Sequence, residues 1–400
     1  MELMHQFPPP MHRKITLANW LEGPPVRWSF MHACELVPSA EAHRGYRPRA
    51  ELPRHEQELD AILFSGINQE DLTICDMLSR TYTDGFLVIH QGKIIKEQYF
   101  NGMQPHYRHL LQSVSKSLTS ILAAVFIHKG VLDPKAVCAE YLTELKGCAY
   151  GDATLQQLLD MTVSVEYTED YGNINTHITI HETAAGWRRR SKESAHIPES
   201  QYEFFPTLQH QTGEQHGDRF HYVSANTDIL GWILERVTKT RFTELFGKEI
   251  WQYMGAHENA AMLVDPWGAA AASGGFNITL HDLGLFGLLM LNQGHHNGRQ
   301  IIPQAYIEDT LTNGDNAAWL KGKGDWLADF YPRGSYRNQF WVTGNDHGAY
   351  FCVGIHGQYV YIDPKADVVI VKLSSLPQAI VEFAEGNTLL GFEAIIDALI

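Results

Sequence analysis

The sequence contains no long hydrophobic run. Apolar residues make up 44% of its 400 residues, but no stretch reaches the ~18 consecutive apolar residues that a membrane-spanning helix needs. Residues 1–14 contain several prolines and no apolar core segment, so they do not resemble a secretory signal. We therefore expect a cytoplasmic protein that does not insert into a membrane.

Basic residues are scarce. The chain has 31 Lys and Arg against 46 Asp and Glu, its formal net charge is −15, and it contains no long run of Lys and Arg. Nucleic acids and anionic membrane surfaces attract proteins through positive charge. The charge balance therefore argues against both as partners.

Paired cysteines and metal-ligand patterns are also missing. The five cysteines are odd in number and none forms a C-x-x-C motif, so we expect thiols that pack as small apolar residues. The 21 histidines do not take zinc-ligand spacings. His181-Glu182 begins like a zinc motif, but Ala185 stands four residues after His181, and His295-His296 lies in a turn rich in Gly and Asn. We expect no metal and no other cofactor.

The chain does contain the alternation of strand and helix patterns that is typical of an α+β protein. Residues 85–100 predict a β-hairpin around Gln91-Gly92. Apolar residues at helical spacing follow from Leu118 to Phe126, and Gly130 is a stop signal. Towards the end, strands are predicted at 350–355, 359–362 and 368–371, followed by a helix at about 377–399.

A chain of 400 residues is too long for one ordinary core, which favours two lobes. We predict an α/β domain formed by residues 1–150 and 271–400, with an antiparallel sheet flanked by terminal helices. Residues 151–270 are predicted to form a mostly helical domain. Within it, the polar stretch 166–220 is long for a loop inside a domain, and such loops are more often functional.

The pair Ser113 and Lys116 is the first candidate for chemistry. A serine hydroxyl needs a base to act as a nucleophile, and residues i and i+3 share one face of a helix. A lysine can be that base if burial lowers its pKa. Ser-x-x-Lys is the motif of penicillin-recognising enzymes. The local alternative is an ordinary helix start with Ser113 as its cap.

A second element, Tyr222-Val223-Ser224-Ala225-Asn226, precedes a helical pattern in the middle lobe. Tyr222-x-Ser224 resembles the Tyr-x-Asn element of class C β-lactamases and related esterases, whereas Ser224-x-Asn226 resembles the Ser-Asp-Asn element of class A enzymes. We favour the first, because a phenol beside a lysine can relay a proton. The alternative is that Tyr222 is a core residue and Ser224 or Asn226 caps the next helix.

The third element of these enzymes, a Lys-Thr-Gly strand, is absent. Its expected counterpart is Ile355-His356-Gly357-Gln358. A glycine on an inner strand allows close backbone approach, and an N–H from this strand could form an oxyanion hole with the N–H of Ser113. Without the lysine that meets the carboxylate of a β-lactam, β-lactamase activity is not expected to be the main one.

Taken together, these elements resemble the 6-aminohexanoate-dimer hydrolases, which are nylon-oligomer-degrading serine hydrolases of the β-lactamase fold. The resemblance runs from about residue 20 to about 375 and implies a β-lactamase/penicillin-binding-protein-like fold. The matching stretches are 27–30, 35–39, 82–84, 113–118, 169–171, 185–188, 224–228, 355–358 and 371–375.

The resemblance also implies roles for individual residues. Ser113 resembles the nucleophile, Lys116 its base and Tyr222 the phenol that shares the proton transfer. The N–H groups of Ser113 and Ile355 resemble the oxyanion hole, with His356 next to it. The substrate side is implied at Tyr171, which would hydrogen-bond the leaving amide nitrogen, at Trp187 as a wall over the substrate, at Glu182 where some members have an aspartate for the substrate ammonium, and at Ser273 where an asparagine can occur.

The sequence therefore predicts a serine hydrolase that cleaves small linear amides or esters through an acyl-enzyme. A carboxylesterase, a D-amino-acid peptidase or β-lactamase-like enzyme, and a non-catalytic penicillin-binding-like sensor are the alternatives. The expected partner is a small-molecule substrate, and the resemblance suggests a homodimer.

Overall fold

A computed structural model describes residues 3–173, 175–322 and 326–400. Its strands are β1 Ser39–Ala42, β2 Leu63–Ser65, β3 Asp71–Thr73, β4 Thr83–His90, β5 Lys93–Tyr99, β6 His109–Leu110, β7 Ala260–Leu263, β8 Phe276–Ile278, β9 His295–His296, β10 Arg299–Gln300, β11 Ser335–Arg337, β12 Phe340–Val342, β13 Tyr350–Gly354, β14 Gln358–Asp363 and β15 Val368–Ser374.

The α-helices complete the described secondary structure, apart from four short 3₁₀ turns. They are α1 Val26–Ser29, α2 Ala33–Leu36, α3 Ile74–Arg80, α4 Val114–His128, α5 Cys138–Tyr141, α6 Leu155–Leu159, α7 His177–Ala184, α8 Gln201–Phe204, α9 Ser224–Thr238, α10 Phe242–Glu249, α11 Leu280–Leu291, α12 Gln304–Thr312, α13 Asn316–Leu320, α14 Trp326–Phe330 and α15 Glu382–Leu399.

The largest sheet has seven antiparallel strands in the order β11-β12-β13-β14-β15-β4-β5. The predicted hairpin is confirmed as β4 and β5. Gln91 and Gly92 at its turn have φ values of 50° and 69°. Two left-handed residues in a two-residue loop match the right-handed twist of the flanking strands, which explains this tight connection.

Both faces of this sheet are covered, so its central strands have no polar face. Phe86 and Val88 of β4 belong to a core cluster with residues of α3 and α15, whereas Leu87 and Ile89 belong to the cluster that contains α4 and α11. Successive side chains of a strand point to opposite faces. A strand buried on both sides therefore reads as an unbroken apolar run.

Helix α4 lies in the interior. Every residue from Val114 to Phe126 is buried, and the helix contacts β13 on one side and α9 and α10 on the other. It ends before Gly130, whose φ of 68° is the left-handed conformation typical of a helix C-terminus. The predicted helix and its stop are confirmed. The first residues of α4 are buried, so the surrounding elements fix the position of its N-terminal end.

A second sheet, β1-β7-β8-β6, joins parts of the chain that are far apart in sequence. Ala261 of β7 pairs with Asn277 of β8, so the expected domain boundary at 270 falls between two paired strands. The division into 1–150 with 271–400 and 151–270 stays a prediction. The long polar stretch 166–220 contains α7 and α8, and several of its residues line cavities described below.

The other late elements follow the expected pattern. The three predicted C-terminal strands are confirmed as β13, β14 and β15, and the last helix, α15, begins at Glu382, about five residues later than expected. All five cysteines are free thiols, as expected. In the described part of the chain, no helix is both long enough and apolar enough to cross a membrane.

The packing of α11 on the sheet leads to a stability prediction. A Cβ at Gly287 would lie 2.4 Å from Cγ1 of Val369, a fully buried side chain of β15. Overpacking of this kind costs about 1–3 kcal/mol, and the helix-forming gain of Ala over Gly recovers at most about 1 kcal/mol. We expect Gly287→Ala to lower the free energy of unfolding by about 1–2 kcal/mol in urea denaturation.

Gly386→Ala in α15 is the matched control. Its added Cβ would meet Cδ1 of Ile67 at 2.6 Å, but the Ile67 side chain is half-exposed and can turn away. This variant should be neutral or slightly stabilised. If both variants lose the same amount of stability, the loss in Gly287→Ala is not caused by the contact with the buried Val369 side chain.

Candidate active site

Ser113 precedes the first residue of α4. Its φ and ψ of −68° and −6° are helical, and its side chain makes no capping hydrogen bond. N-capping side chains stand on extended backbone from which the oxygen reaches the N2 or N3 amide. The alternative that Ser113 is an ordinary helix cap is therefore contradicted. The preceding residue, Gln112, has a φ of 48° and turns the chain into the helix.

The Ser113 hydroxyl instead contacts Lys116. The Nζ atom of Lys116 donates to Oγ of Ser113 at 2.8 Å, to Oγ of Ser224 at 3.0 Å and to the carbonyl of Ser273 at 3.1 Å. Lys116 is only 1% exposed. Burial lowers the pKa of Lys116 to about 8, against the opposing charges of Glu169 and Asp228. A minor fraction of the lysine, roughly a tenth to a fifth, is therefore neutral near physiological pH, far more than for a lysine at the surface.

Tyr222 and Ser224 both face Lys116. The ammonium nitrogen lies 4.9 Å from the centroid of the Tyr222 ring, which stacks on Trp341. Asn226, in contrast, is fully buried and accepts a hydrogen bond from the hydroxyl of Tyr150. Of the two registers that the sequence left open, the structure brings Tyr222-x-Ser224 to the lysine and leaves Asn226 away from it.

Glu169 connects this centre to the polar stretch 166–220. One of its carboxylate oxygens accepts the backbone N–H of Ser224, and the other accepts the hydroxyl proton of Tyr171 at 2.9 Å. Burial, followed by the charge of Glu169, raises the pKa of Tyr171 well above its ordinary value. Tyr171 therefore stays protonated and can donate a hydrogen bond.

Trp187 and Glu182 lie on the same side of Ser113. With Tyr171 and Ser273, they line a small cavity of about 40 Å³ that also reaches Ser113. The Trp187 ring packs edge-on against Trp20, whose indole nitrogen donates to the Trp187 carbonyl at 2.7 Å.

The Glu182 carboxylate accepts a hydrogen bond from Nε of Arg188 at 2.5 Å. Burial raises the pKa of Glu182, and the Arg188 cation opposes this rise. Glu182 therefore already has a cationic partner from this chain.

Strand β13 comes unusually close to Ser113. A Cβ at Gly354 would lie 2.5 Å from the carbonyl oxygen of Leu111 and 2.9 Å from the backbone nitrogen of Ser113. Only glycine allows this approach. It places Ile355, the next residue, on the wall of the cavity that contains Ser113. Within the described residues, neither the N–H of Ser113 nor that of Ile355 donates a hydrogen bond.

His356 is placed differently from its neighbour. Its backbone N–H donates to the carbonyl of Ala379 at 2.7 Å, and its ring is buried against Phe30, with Nδ1 at 2.6 Å from the carbonyl of Leu376. Burial lowers the pKa of His356 to about 4. Its ring is therefore neutral, and these contacts hold the turn that carries Ile355.

Two larger cavities open around this centre. One, of about 570 Å³, is lined by Ser113, Tyr222, Trp341 and Ile355 among others. The second, of about 490 Å³, extends from Tyr171 and Ile355 to Glu182 and Arg188. Arg188 is the one Lys or Arg side chain that lines either cavity in the described part of the chain.

Sequence reasoning missed the roles of Glu169 and Asp228. Asp228 is buried, accepts the N–H of Ser273 at 2.8 Å and lines the small cavity. Neither carboxylate is at a spacing that would reveal it, because they lie 53 and 112 residues after Lys116. Asp228 ends the polar segment 224–228, which precedes the apolar run that begins at Ile229, so the local pattern did not distinguish it from its polar neighbours.

One group of potential metal ligands occurs elsewhere, on the surface, among the described residues: Asp152, His210 and His216. The backbone N–H of Ser164 donates to Nδ1 of His216 at 2.9 Å. In the neutral ring the proton is therefore on Nε2, which is 3.2 Å from Asp152. This geometry fits a hydrogen bond to a carboxylate and not an Nε2-bound metal.

Comparison with known proteins supports one family. The model of the beta-lactamase family matches residues 78–394. The chain is 38% identical over 362 residues to the 6-aminohexanoate-dimer hydrolase of Paenarthrobacter ureafaciens, covering 90% of this chain and 88% of that protein.

Solved structures agree with this. A protein from Bacillus anthracis assigned as a 6-aminohexanoate-dimer hydrolase superposes with a TM-score of 0.89 at 30% identity, over 98% of both chains. A penicillin-binding protein from Bacillus halodurans shares the fold, with a TM-score of 0.58 at 16% identity, over 81% of this chain and 99% of that one. The chain thus has the β-lactamase/penicillin-binding-protein-like α+β fold and belongs to the beta-lactamase family, as a relative of the 6-aminohexanoate-dimer hydrolases.

Proposed function

We propose that this protein is a serine hydrolase with Ser113 as the nucleophile and Lys116 as its base. The observation that carries this proposal is the 2.8 Å contact between Nζ of Lys116 and Oγ of Ser113. Lys116 is buried and its pKa is lowered to about 8. A neutral amine within hydrogen-bond reach of a hydroxyl is the arrangement that activates a serine.

The reaction proceeds in two steps. Neutral Lys116, assisted by Tyr222, takes the proton of Ser113 as its oxygen attacks an amide or ester carbonyl. The N–H groups of Ser113 and Ile355 hold the resulting oxyanion. The leaving amine or alcohol departs with a proton relayed through Tyr222. The hydroxyl of Tyr171, which donates to Glu169 in this structure, would turn from that carboxylate to donate to the departing atom. Water then loses a proton to Lys116 and Tyr222 as it attacks the acyl carbonyl. The bond between the acyl group and Oγ of Ser113 breaks, the acid is released, and the proton from the water passes to Ser113.

We infer a small linear amide or ester as the substrate. Similarity to proteins named 6-aminohexanoate-dimer hydrolases favours an amide of that kind. Trp187 would cover the bound chain. Glu182 and Ser273 would contact it from the wall of the small cavity. Because Glu182 is already paired with Arg188, a substrate ammonium would have to share this carboxylate with the arginine. The sequence has no Lys-Thr-Gly triplet, and no lysine among the described residues lines the two larger cavities, which argues against β-lactam carboxylates as the main substrates.

A carboxylesterase or a D-amino-acid peptidase would use the same centre. A sensor without turnover would also react at Ser113, but it would stay acylated. The relative rates on a linear amide, a simple ester and a chromogenic β-lactam, measured side by side, separate these alternatives.

The nucleophile can be tested directly. We expect a fluorophosphonate to label the protein at Ser113, as mapped by mass spectrometry, and Ser113→Ala to abolish both labelling and hydrolysis of a short-chain p-nitrophenyl ester. Ser115→Ala, two residues away on α4, serves as the control for damage to the helix and should still be labelled. Parental activity in Ser113→Ala would refute the proposal.

The lysine leads to a pH prediction. Because the base must be neutral, activity is lost as Lys116 gains its proton. We expect kcat/KM for the ester to level off above about pH 8 and to fall roughly tenfold per pH unit well below it. Lys116→Arg keeps a cation that does not titrate in this range and should lose about 100-fold or more. A profile centred near pH 4–5 would instead indicate a carboxylate base.

The approach of β13 leads to a third prediction. Gly354→Ala would push Ile355 away from Ser113, because the added methyl group meets backbone atoms on the other side. We expect a loss of about 100-fold or more in kcat, comparable with the removal of one oxyanion-hole donor, with the fold retained by circular dichroism. Cys352→Ala on the same strand removes an atom and adds none, so it should stay within about threefold of the parent.

A further inference from the structure

Asp228 is a buried carboxylate that the mechanism above does not use. It lies one turn after Ser224 in α9 and is 3% exposed. Its Oδ1 atom accepts the backbone N–H of Ser273 at 2.8 Å. The carbonyl of the same residue, Ser273, accepts from Nζ of Lys116 at 3.1 Å. One residue therefore connects the carboxylate to the lysine.

The other carboxylate oxygen of Asp228 faces His181 of α7. Nε2 of His181 lies 3.4 Å from Oδ2 of Asp228 and 3.1 Å from Oε1 of Gln201, and both of these are acceptors. His181 therefore carries its proton on Nε2, and its Nδ1 accepts the hydroxyl proton of Tyr167 at 2.8 Å. Burial lowers the pKa of His181 to about 4. The ring is thus neutral, donates its Nε2 proton to Gln201 and is not a counter-ion of Asp228.

We propose that Asp228 is a positioning residue for the base: it holds the Ser273 backbone that orients Lys116 towards Ser113, and it places a carboxylate in the same hydrogen-bonded network as the lysine. This inference rests on the proposed function of Ser113 and Lys116. It assigns to Asp228 no contact with the substrate.

The charges around Lys116 support this role. All three of its hydrogen-bond acceptors are neutral. The carboxylates that raise its pKa are Glu169, from the loop before α7, and Asp228, from α9. The Tyr222 ring faces the lysine from the chain before α9, and His181 of α7 faces Asp228. Glu182 of α7 lines the same small cavity as Asp228, and Arg188 is the ion-pair partner of Glu182.

Glu169 and Asp228 differ in how far solvent and substrate can screen their charges. Glu169 is half-buried and lines both larger cavities, so a substrate or water can screen it. Asp228 is 3% exposed and reaches only the small cavity, and a buried charge of this kind is costly unless it is paired. Burial raises the pKa of Asp228 to about 7, against hydrogen bonds from Ser273 and the charge of Lys116. The lysine is the one cation that opposes this rise.

The experiment measures the pH dependence of labelling of Ser113 by a fluorophosphonate in Asp228→Asn. The amide can still accept the N–H of Ser273 but carries no charge. An opposite charge at short range shifts a pKa by about one unit or more. Because Asp228 itself gains a proton near pH 7, its charge acts on Lys116 only above that pH. We expect the midpoint of the pH-dependent rise in labelling rate to move to lower pH by about half a unit, with the variant-to-parent rate ratio highest between about pH 7 and 8 and lower near pH 6 and near pH 9.5.

Asp228→Glu and Asp282→Asn are the matched controls. Asp228→Glu restores the charge, so its rising limb should lie with that of the parent even if its rate is lower. Asp282 is an equally buried carboxylate that accepts backbone N–H groups at the start of α11, away from the cavities described above. Asp282→Asn should lower the stability of the fold and leave the pH dependence of the labelling rate as it is in the parent. Thermal unfolding of each variant reports how much of any rate loss is structural.

The outcomes are distinct. A lower rate with an unshifted limb in Asp228→Asn would show a structural role only and overturn the inference. If that variant does not fold, Asp228→Ser replaces it with the same expected shift; failure of both neutral variants to fold would make the carboxylate a folding requirement and would also overturn it. If the parent itself is not labelled at Ser113, the proposed function fails, which this assay separates from a failure of the role of Asp228.

Discussion

The burial of Lys116 is the feature on which the rest of the site depends. A lysine at the surface would be protonated and useless as a base, whereas a lysine inside a protein loses part of its charged population because the interior solvates an ammonium poorly. Here α4 is buried along nearly its whole length. The lysine then needs neutral acceptors for its hydrogen bonds, and it finds them on three different segments at Ser113, Ser224 and Ser273.

This requirement ties the two parts of the chain together. Ser224 begins α9 and Ser273 stands before β8, so the two elements must pack against the start of α4 to satisfy the lysine. Strand β13 approaches the same point from the large sheet, and it can do so because position 354 has no side chain. The proposed nucleophile, its proposed base and the backbone beside them are therefore brought together by packing between elements, and no single element contains all of them.

Much of the framework could be predicted from the sequence. The hairpin around Gln91-Gly92, helix α4 with its stop at Gly130 and the three C-terminal strands follow from local periodicity and turn residues, which act over a few positions. The spacing of Ser113 and Lys116 was equally local. It could not, however, exclude that Ser113 is a helix cap. The helical backbone of Ser113 and the contact of its hydroxyl with Lys116 exclude that role.

The sequence by itself determined the strands, the main helices, the pairing of Ser113 with Lys116 on one helix face and, through its likeness to a known family, the fold. Only the tertiary structure decided that Tyr222 and Ser224 face the lysine while Asn226 does not, that His356 supports the turn with a neutral ring, and that Asp228 and Glu169 supply the charge around the base. The physical reason is the distance in sequence over which each property is determined. Periodicity reports which face of an element is apolar, whereas the electrostatics of a buried lysine depends on groups more than 50 residues away in sequence, and packing alone brings those groups within a few ångströms.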